Sequence, residues 1–178
     1  MSEETAGEGN GILSEICLQC GGRCCWNANP PLTEQRMERM STEGMPAGAL
    51  EFAGYRRLKA RDDGFCVLFS EGRCLLHAVK PEICVAIPFT FDVKGNMLEI
   101  FLRKGSICPM VPHLLGDGEA YQAQYDLAVR NLLAFMRDVP EDELREILTI
   151  EEPETIKVGE VPLEGVLRPR TPAPVPGH

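Results

Sequence analysis

The chemistry this sequence can do lies in its eight cysteines and in how they are spaced. Cys17, Cys20, Cys24 and Cys25 fall in one stretch, C-L-Q-C-G-G-R-C-C, and Cys66, Cys74, Cys84 and Cys108 follow. Thiolates are soft, charged ligands, and two of them two or three residues apart close readily on one metal or one cluster. All eight are therefore candidate cofactor-binding and metal-ligating residues. The vicinal pair Cys24-Cys25 narrows the choice. Adjacent side chains point to opposite faces of an extended segment and lie about 100° apart on a helix. They reach one small ion only through strained geometry. They suit a cluster with separated iron vertices, or two neighbouring sites. Eight ligands divide naturally into two sets of four, but the spacing does not force that division.

The other cysteines fit the same chemistry. Cys66 and Cys74 flank a turn at Ser70 to Arg73, Cys84 follows, and Cys108-Pro109 repeats a Cys-Pro step found at iron–sulfur sites, where proline fixes the departing chain. His77 is a possible ligand of a mixed site, but a hydrogen-bonded histidine beside the site is the better reading with so many thiols present. His113 and His178 have no supporting context. Asp62-Asp63 precedes Gly64 and reads as a turn, and no catalytic constellation is recognisable, so no catalytic residue is assigned.

Composition bounds the class. A chain of 178 residues with 44% hydrophobic and 25% charged residues matches a globular domain. No apolar run approaches the roughly 18 residues that span a bilayer. The acidic, polar start M-S-E-E-T-A-G-E-G-N-G lacks the features of a secretory signal, so a cytoplasmic location is expected. In that reducing compartment a dense cysteine set binds metal more often than it forms disulfides. A net charge of −9 argues against nucleic acid as a partner. The basic run from Tyr55 to Arg61 reads as the solvated face of a helix.

The elements that must position these thiols are short. Residues 1–10 read as disordered, 11–150 as one cysteine-cluster domain, and 151–178, with six of the fourteen prolines, as an extended or disordered tail. The first cysteine cluster is expected on a loop in which Gly21 and Gly22 turn tightly and bring backbone N–H groups toward sulfur. Helices are expected from Thr33 to Met40 with Thr33 as N-cap, from about Pro46 or Ala47 to Ala60, and from Glu141 to Leu148. Gly48 and Gly54 weaken the second of these. Phe65–Phe69 reads as a strand and Pro81–Cys84 as a helical turn. Phe89–Val93 and Met97–Leu102 read as a β-hairpin about Lys94-Gly95-Asn96. Asp117 caps a long helix over 118–138, whose Tyr121, Tyr125, Ala128, Leu132 and Phe135 or Met136 make one apolar face. The fold class is α+β: a small, irregular, metal-organised domain with a β-hairpin and a long packing helix.

The ordered set C-x2-C-x3-C-C, Phe65-Cys66, Gly72-Arg73-Cys74, Lys80-Pro81-Glu82-Ile83-Cys84, Pro88-Phe89 and Cys108-Pro109 resembles the YkgJ-type cysteine-cluster family, also called CxxCxxCC. The resemblance runs from about Cys17 to Pro109 and implies zinc or iron chelation. The family often carries Arg after the cysteine matching Cys84; here Val85 stands there, so that contact is not carried over. The sequence shows neither a glycine-rich nucleotide fingerprint nor the C-x3-C-x2-C spacing of radical S-adenosylmethionine use, and methyl transfer is not assigned. The expected function is an iron–sulfur centre, [4Fe–4S], one or two, in an electron-transfer or maturation subunit of a larger redox assembly with a protein partner and no membrane. The alternative is a structural zinc module for protein interaction.

Overall fold

The computed structural model describes residues 9–152 and 154–166. The chain runs through helix α1 (Gly9–Gln19), a 3-10 turn (Arg23–Cys25) and helix α2 (Glu34–Thr42) into two strand pairs. These are β1 (Leu50–Phe52) with β2 (Arg56–Leu58), and β3 (Phe69–Ser70) with β4 (Arg73–Cys74), both antiparallel. Helix α3 (Glu82–Ala86) leads to β5 (Phe89–Lys94) and β6 (Met97–Arg103). Then come α4 (Met110–Gly116), α5 (Gly118–Asp138), α6 (Glu141–Ile147) and β7 (Thr155–Pro162). None of the described helices is long and apolar enough to cross a membrane.

The hairpin β5–β6 forms in the expected register, Phe89 opposite Leu102 and Lys94 opposite Met97, with Gly95 at φ 62 in the turn. Alternation along β6 turns Leu98, Ile100 and Leu102 inward. Helix α5 covers that face. Its Asp117 cap accepts from the backbone N–H of Glu119 and Ala120, and its buried stripe is Ala128, Leu132, Phe135 and Met136, as the helical period predicts. Phe89 meets Tyr121 and Tyr125 edge-on, each at 5.5 Å, and Phe91 meets Phe135 at 5.9 Å. Buried Gln124 donates to the carbonyls of Val85 and Ile87, at 3.2 and 2.8 Å, and so ties α3 to α5. Satisfying two buried carbonyls in a chain segment without a ladder partner is what keeps that polar side chain in the core.

A second apolar cluster lies apart from this one. It holds Leu32, Met40, Ala49, Leu58, Cys66, Leu68, Leu76 and Val79. Ionic clamps join the two halves. Glu82 of α3, almost fully buried, accepts from Arg36 Nε of α2 at 3.0 Å, and Arg36 also reaches the Lys80 carbonyl. Glu143 of α6 accepts from both the backbone N–H and Nε of Arg56, at 2.9 and 3.0 Å.

The structure differs from the sequence expectations in several places. The helix expected to end at Ala60 is instead the β1–β2 hairpin, because Gly48 and Gly54 adopt left-handed backbone, φ 76 and 79, which a helix cannot contain. The basic run is therefore a strand and its exit, and its arginines are engaged: Arg56 with Glu143, Arg57 with Glu51, Arg61 with Asp63. Phe65–Phe69 is not a continuous strand; Phe65 and Cys66 make single bridges to Trp26 and Ala60, and pairing starts at Phe69. Residues 155–162 are β7, which adds to β6 within the same chain, with a bulge between Ile100 and Phe101. Gly159 lies so close to the Tyr125 hydroxyl that a Cβ there would collide with it. The rest of the expected tail, 167–178, and residues 1–8 of the expected disordered start lie outside the described residues.

Candidate metal centre

The first cysteines sit on a helix end rather than on a loop alone. Cys17 is in the last turns of α1, and the Cys20 N–H still bonds to the Ile16 carbonyl at 3.0 Å. Residues three apart share a helix face, so C-x2-C aims both thiols the same way. The chain then reverses through Gly21 and Gly22, at φ 70 and 75. A Cβ on Gly22 would run into the Phe69 ring, so only glycine fits there. The reversal closes with Cys25 N–H and Trp26 N–H both bonded to the Gly22 carbonyl, at 2.8 and 3.1 Å.

Long-range pairing brings the other segments in. The Cys66 N–H donates to the Cys25 carbonyl at 2.7 Å, and Asn27 N–H to Gly64 at 2.7 Å, which seats Cys66 beside the vicinal pair. Cys74 is opposite Phe69 across the β3–β4 pair. Cys84 is carried by α3. Cys108 follows the hairpin, its N–H bonded to the Lys104 carbonyl at 3.1 Å. The Cys17 thiol contacts the Met110 Sδ at 3.2 Å, two residues beyond Cys108. All eight thiols are free of disulfides; Cys66 and Cys108 are buried, Cys24 is exposed, and the rest are half-buried. Five of them, Cys17, Cys20, Cys24, Cys84 and Cys108, line a cavity of about 1140 Å³ together with Arg103.

The electrostatics centre on Cys24. A hydrogen bond from the Cys25 thiol to the Cys24 sulfur pulls Cys24 down to about 6, against burial and helped by Lys80 and Arg103. This lowering favours the thiolate form of Cys24. The same bond, with burial, pushes Cys25 far up. Burial and the charge of Cys24 raise Cys17 to about 11, and the same two causes push Cys84 up strongly. Cys66, Cys74 and Cys108 are raised chiefly by burial.

Against that burial, one local device recurs. The sulfur of Cys66 faces the backbone N–H of Leu68, that of Cys74 the N–H of Leu76, and that of Cys108 the N–H of Met110. In each case the donor is two residues beyond the cysteine. An N–H aimed at sulfur stabilises the thiolate, which is the form that binds metal. Arg103 Nε is buried and has no hydrogen-bond partner among the described residues, although its other end pairs with Glu152 at 3.1 Å. Its charge acts on Cys24 and Cys108. The donor set therefore fits a thiophilic metal or cluster: soft ligands, N–H groups directed at sulfur, and a cationic donor nearby. Among the described residues no three His, Cys, Asp or Glu side chains stand close enough to enclose one ion.

His77 is exposed and stands beside Lys80, whose charge, followed by burial, lowers its pKa. His113 is half-buried on α4, and His178 is outside the described residues. The sequence reading missed Arg103, Lys80 and Met110. Arg103 and Lys80 are ordinary basic residues in the sequence, and only the long-range fold puts them at the thiols.

A cysteine-rich α+β domain with five of its eight thiols lining one cavity is suited to binding a thiophilic metal. Comparison with protein families matches residues 16–110 to CxxCxxCC, a zinc- or iron-chelating domain, and the chain belongs to that family. The match takes in all eight cysteines and just over half of the chain. Neither the curated proteins nor the solved structures give a match.

Proposed function

We propose that Cys17, Cys20, Cys24, Cys25, Cys66, Cys74, Cys84 and Cys108 hold an iron–sulfur centre and that the protein works as an electron-transfer or maturation subunit in a reducing compartment. The observation that carries this reading is the repeated N–H two residues past Cys66, Cys74 and Cys108, which offsets part of the burial that raises these three thiols and favours the thiolate each must become to bind metal. The preponderance of thiols over imidazoles and the vicinal pair favour iron–sulfur over zinc. Bound there, an iron–sulfur cluster would supply one-electron redox chemistry. The chain's own part is to hold the thiolates, to donate N–H groups to them, and to balance their charge with Lys80 and Arg103.

A protein partner is supported by the surface. Leu18, Trp26 and Leu75, each next in sequence to a cysteine, are exposed large apolar side chains, at 55%, 59% and 55%. Such residues beside a redox centre suit docking to another protein. The test is anaerobic purification of the full chain followed by visible and electron paramagnetic resonance spectra. A brown protein that bleaches with dithionite supports the proposal. A colourless protein with stoichiometric zinc supports the structural zinc module, to which the family's zinc-or-iron description also extends.

A further inference from the structure

The β5–β6 hairpin has a second face. Leu98, Ile100 and Leu102 turn toward α5, so alternation puts Phe101 and Arg103 on the other side of the sheet, with Thr90 of β5 opposite Phe101. All three line the cavity that Cys17, Cys20, Cys24, Cys84 and Cys108 also line. Arg103 ends β6, and its backbone is fixed from both sides. Its N–H donates to the Pro88 carbonyl at 3.1 Å, and it is paired with Thr155 of β7.

The side chain is held as well. Glu152, on the connection from α6 to β7, accepts from the Thr90 hydroxyl at 2.9 Å with one oxygen. Its other oxygen accepts from Arg103 Nη2 at 3.1 Å. The Arg103 Nε is buried and has no hydrogen-bond partner among the described residues. Asp92 and Glu151 also line the cavity, but both are exposed, and among the described residues the carboxylate paired with Arg103 is that of Glu152. A buried guanidinium N–H is seldom left unmatched, and its planar fork can serve two anionic acceptors at once. The cysteine sulfurs that share the cavity carry charge when they bind metal, and a charged sulfur is an acceptor for such a donor.

We infer that Thr90, Glu152 and Arg103 form a positioning relay for the metal centre: Glu152, held by Thr90, turns Arg103 so that its free Nε–H donates to a metal-bound cysteine sulfur. This deepens the proposed function and rests on metal binding by the cavity thiols. Glu152 lies beyond residues 16–110, so the region that carries the eight cysteines does not contain the whole site.

The test compares how tightly the full-length protein holds its own metal, read by competition with a chelator, in wild type, Arg103→Met, Arg103→Lys, Glu152→Ala and Thr90→Val. Removing an outer hydrogen bond to a metal ligand lowers affinity by about 10–100-fold, the fall expected for Arg103→Met. Arg103→Lys restores the charge without the fork and should recover only part of it. Glu152→Ala releases the guanidinium, and Thr90→Val releases the carboxylate while both charges stay; each should lose part of the same factor. With iron bound, Arg103→Met should also lower the reduced-to-oxidised ratio at a fixed potential by about tenfold. With zinc bound, affinity alone is the readout. Unchanged affinity in Arg103→Met would overturn the inference. Full recovery in Arg103→Lys would overturn the Nε bond, and wild-type affinity in both Glu152→Ala and Thr90→Val would overturn the relay. If Arg103→Met fails to fold by far-ultraviolet circular dichroism, the other two positions decide. Metal lost in Cys20→Ala but retained at wild-type affinity in every relay variant would overturn this inference and leave the proposed metal centre standing. A wild-type chain that binds neither iron nor zinc would overturn both.

Discussion

Replacing Gly22 by alanine should destabilise this protein more than the same change at Gly21, and the difference measures how tightly the cysteine turn is packed. Both glycines are left-handed, at φ 70 and 75. An L-residue in that region costs about 1–2 kcal/mol, which is the whole expected effect at Gly21, where a Cβ meets nothing within 4 Å. At Gly22 the new methyl meets the Phe69 ring, which is itself stacked on Phe65 with centroids 4.7 Å apart. Forcing that ring aside adds about 1–3 kcal/mol of overpacking, for a total of about 2–5 kcal/mol. For a chain of this size each kcal/mol moves the melting temperature by about 2–4 °C, so Gly22→Ala should melt roughly 2–12 °C below Gly21→Ala. Thermal unfolding followed by circular dichroism on matched metal-free samples gives the comparison. Phe69→Leu in the Gly22→Ala background should recover most of the excess, a coupling that a double-mutant cycle isolates. Equal melting of the two alanine variants, or no recovery with Phe69→Leu, would refute the contact.

Other expectations follow from single interactions. In metal-free protein the thiolate fraction of Cys24 should rise with pH and reach half near pH 6, so its alkylation by iodoacetamide, followed by peptide mass spectrometry, should have its midpoint there; Cys25→Ala, which removes the donor, should move that midpoint upward or the hydrogen-bond assignment fails. Glu82→Leu leaves the mostly buried Arg36 charge without its carboxylate and should cost about 3–5 kcal/mol in urea unfolding, while Arg36→Met with Glu82→Leu should cost much less. An unchanged midpoint for the single variant would contradict the clamp. Gly159→Ala puts a methyl against the Tyr125 hydroxyl and should destabilise by about 1–3 kcal/mol; no change in melting would mean that β7 does not dock on α5.

What the sequence made legible were features that local physics decides. Asp117 followed by a helical apolar stripe, and two alternating runs about Lys94-Gly95-Asn96, needed no tertiary information, and both elements stand where expected. The β1–β2 hairpin was obscured because its residues carry no clean alternation, although Gly48 and Gly54 already spoke against a helix. Helix α4 was hidden by Pro112 in its interior. In β7, Ile156 and Val158 alternate, but the surrounding prolines outweighed that signal. The thiols themselves could be read directly from their spacing. Their meeting in space could not, because it depends on Cys66 pairing with Cys25, and on Arg103 and Met110 arriving from across the fold.

X-ray absorption at the edge of the bound metal tests the central claim most directly, because it reports the atoms in the first coordination shell. If the cysteines supply the ligands, the shell of the anaerobically isolated protein contains sulfur alone, at about 2.3 Å. A shell dominated by nitrogen or oxygen would contradict the account.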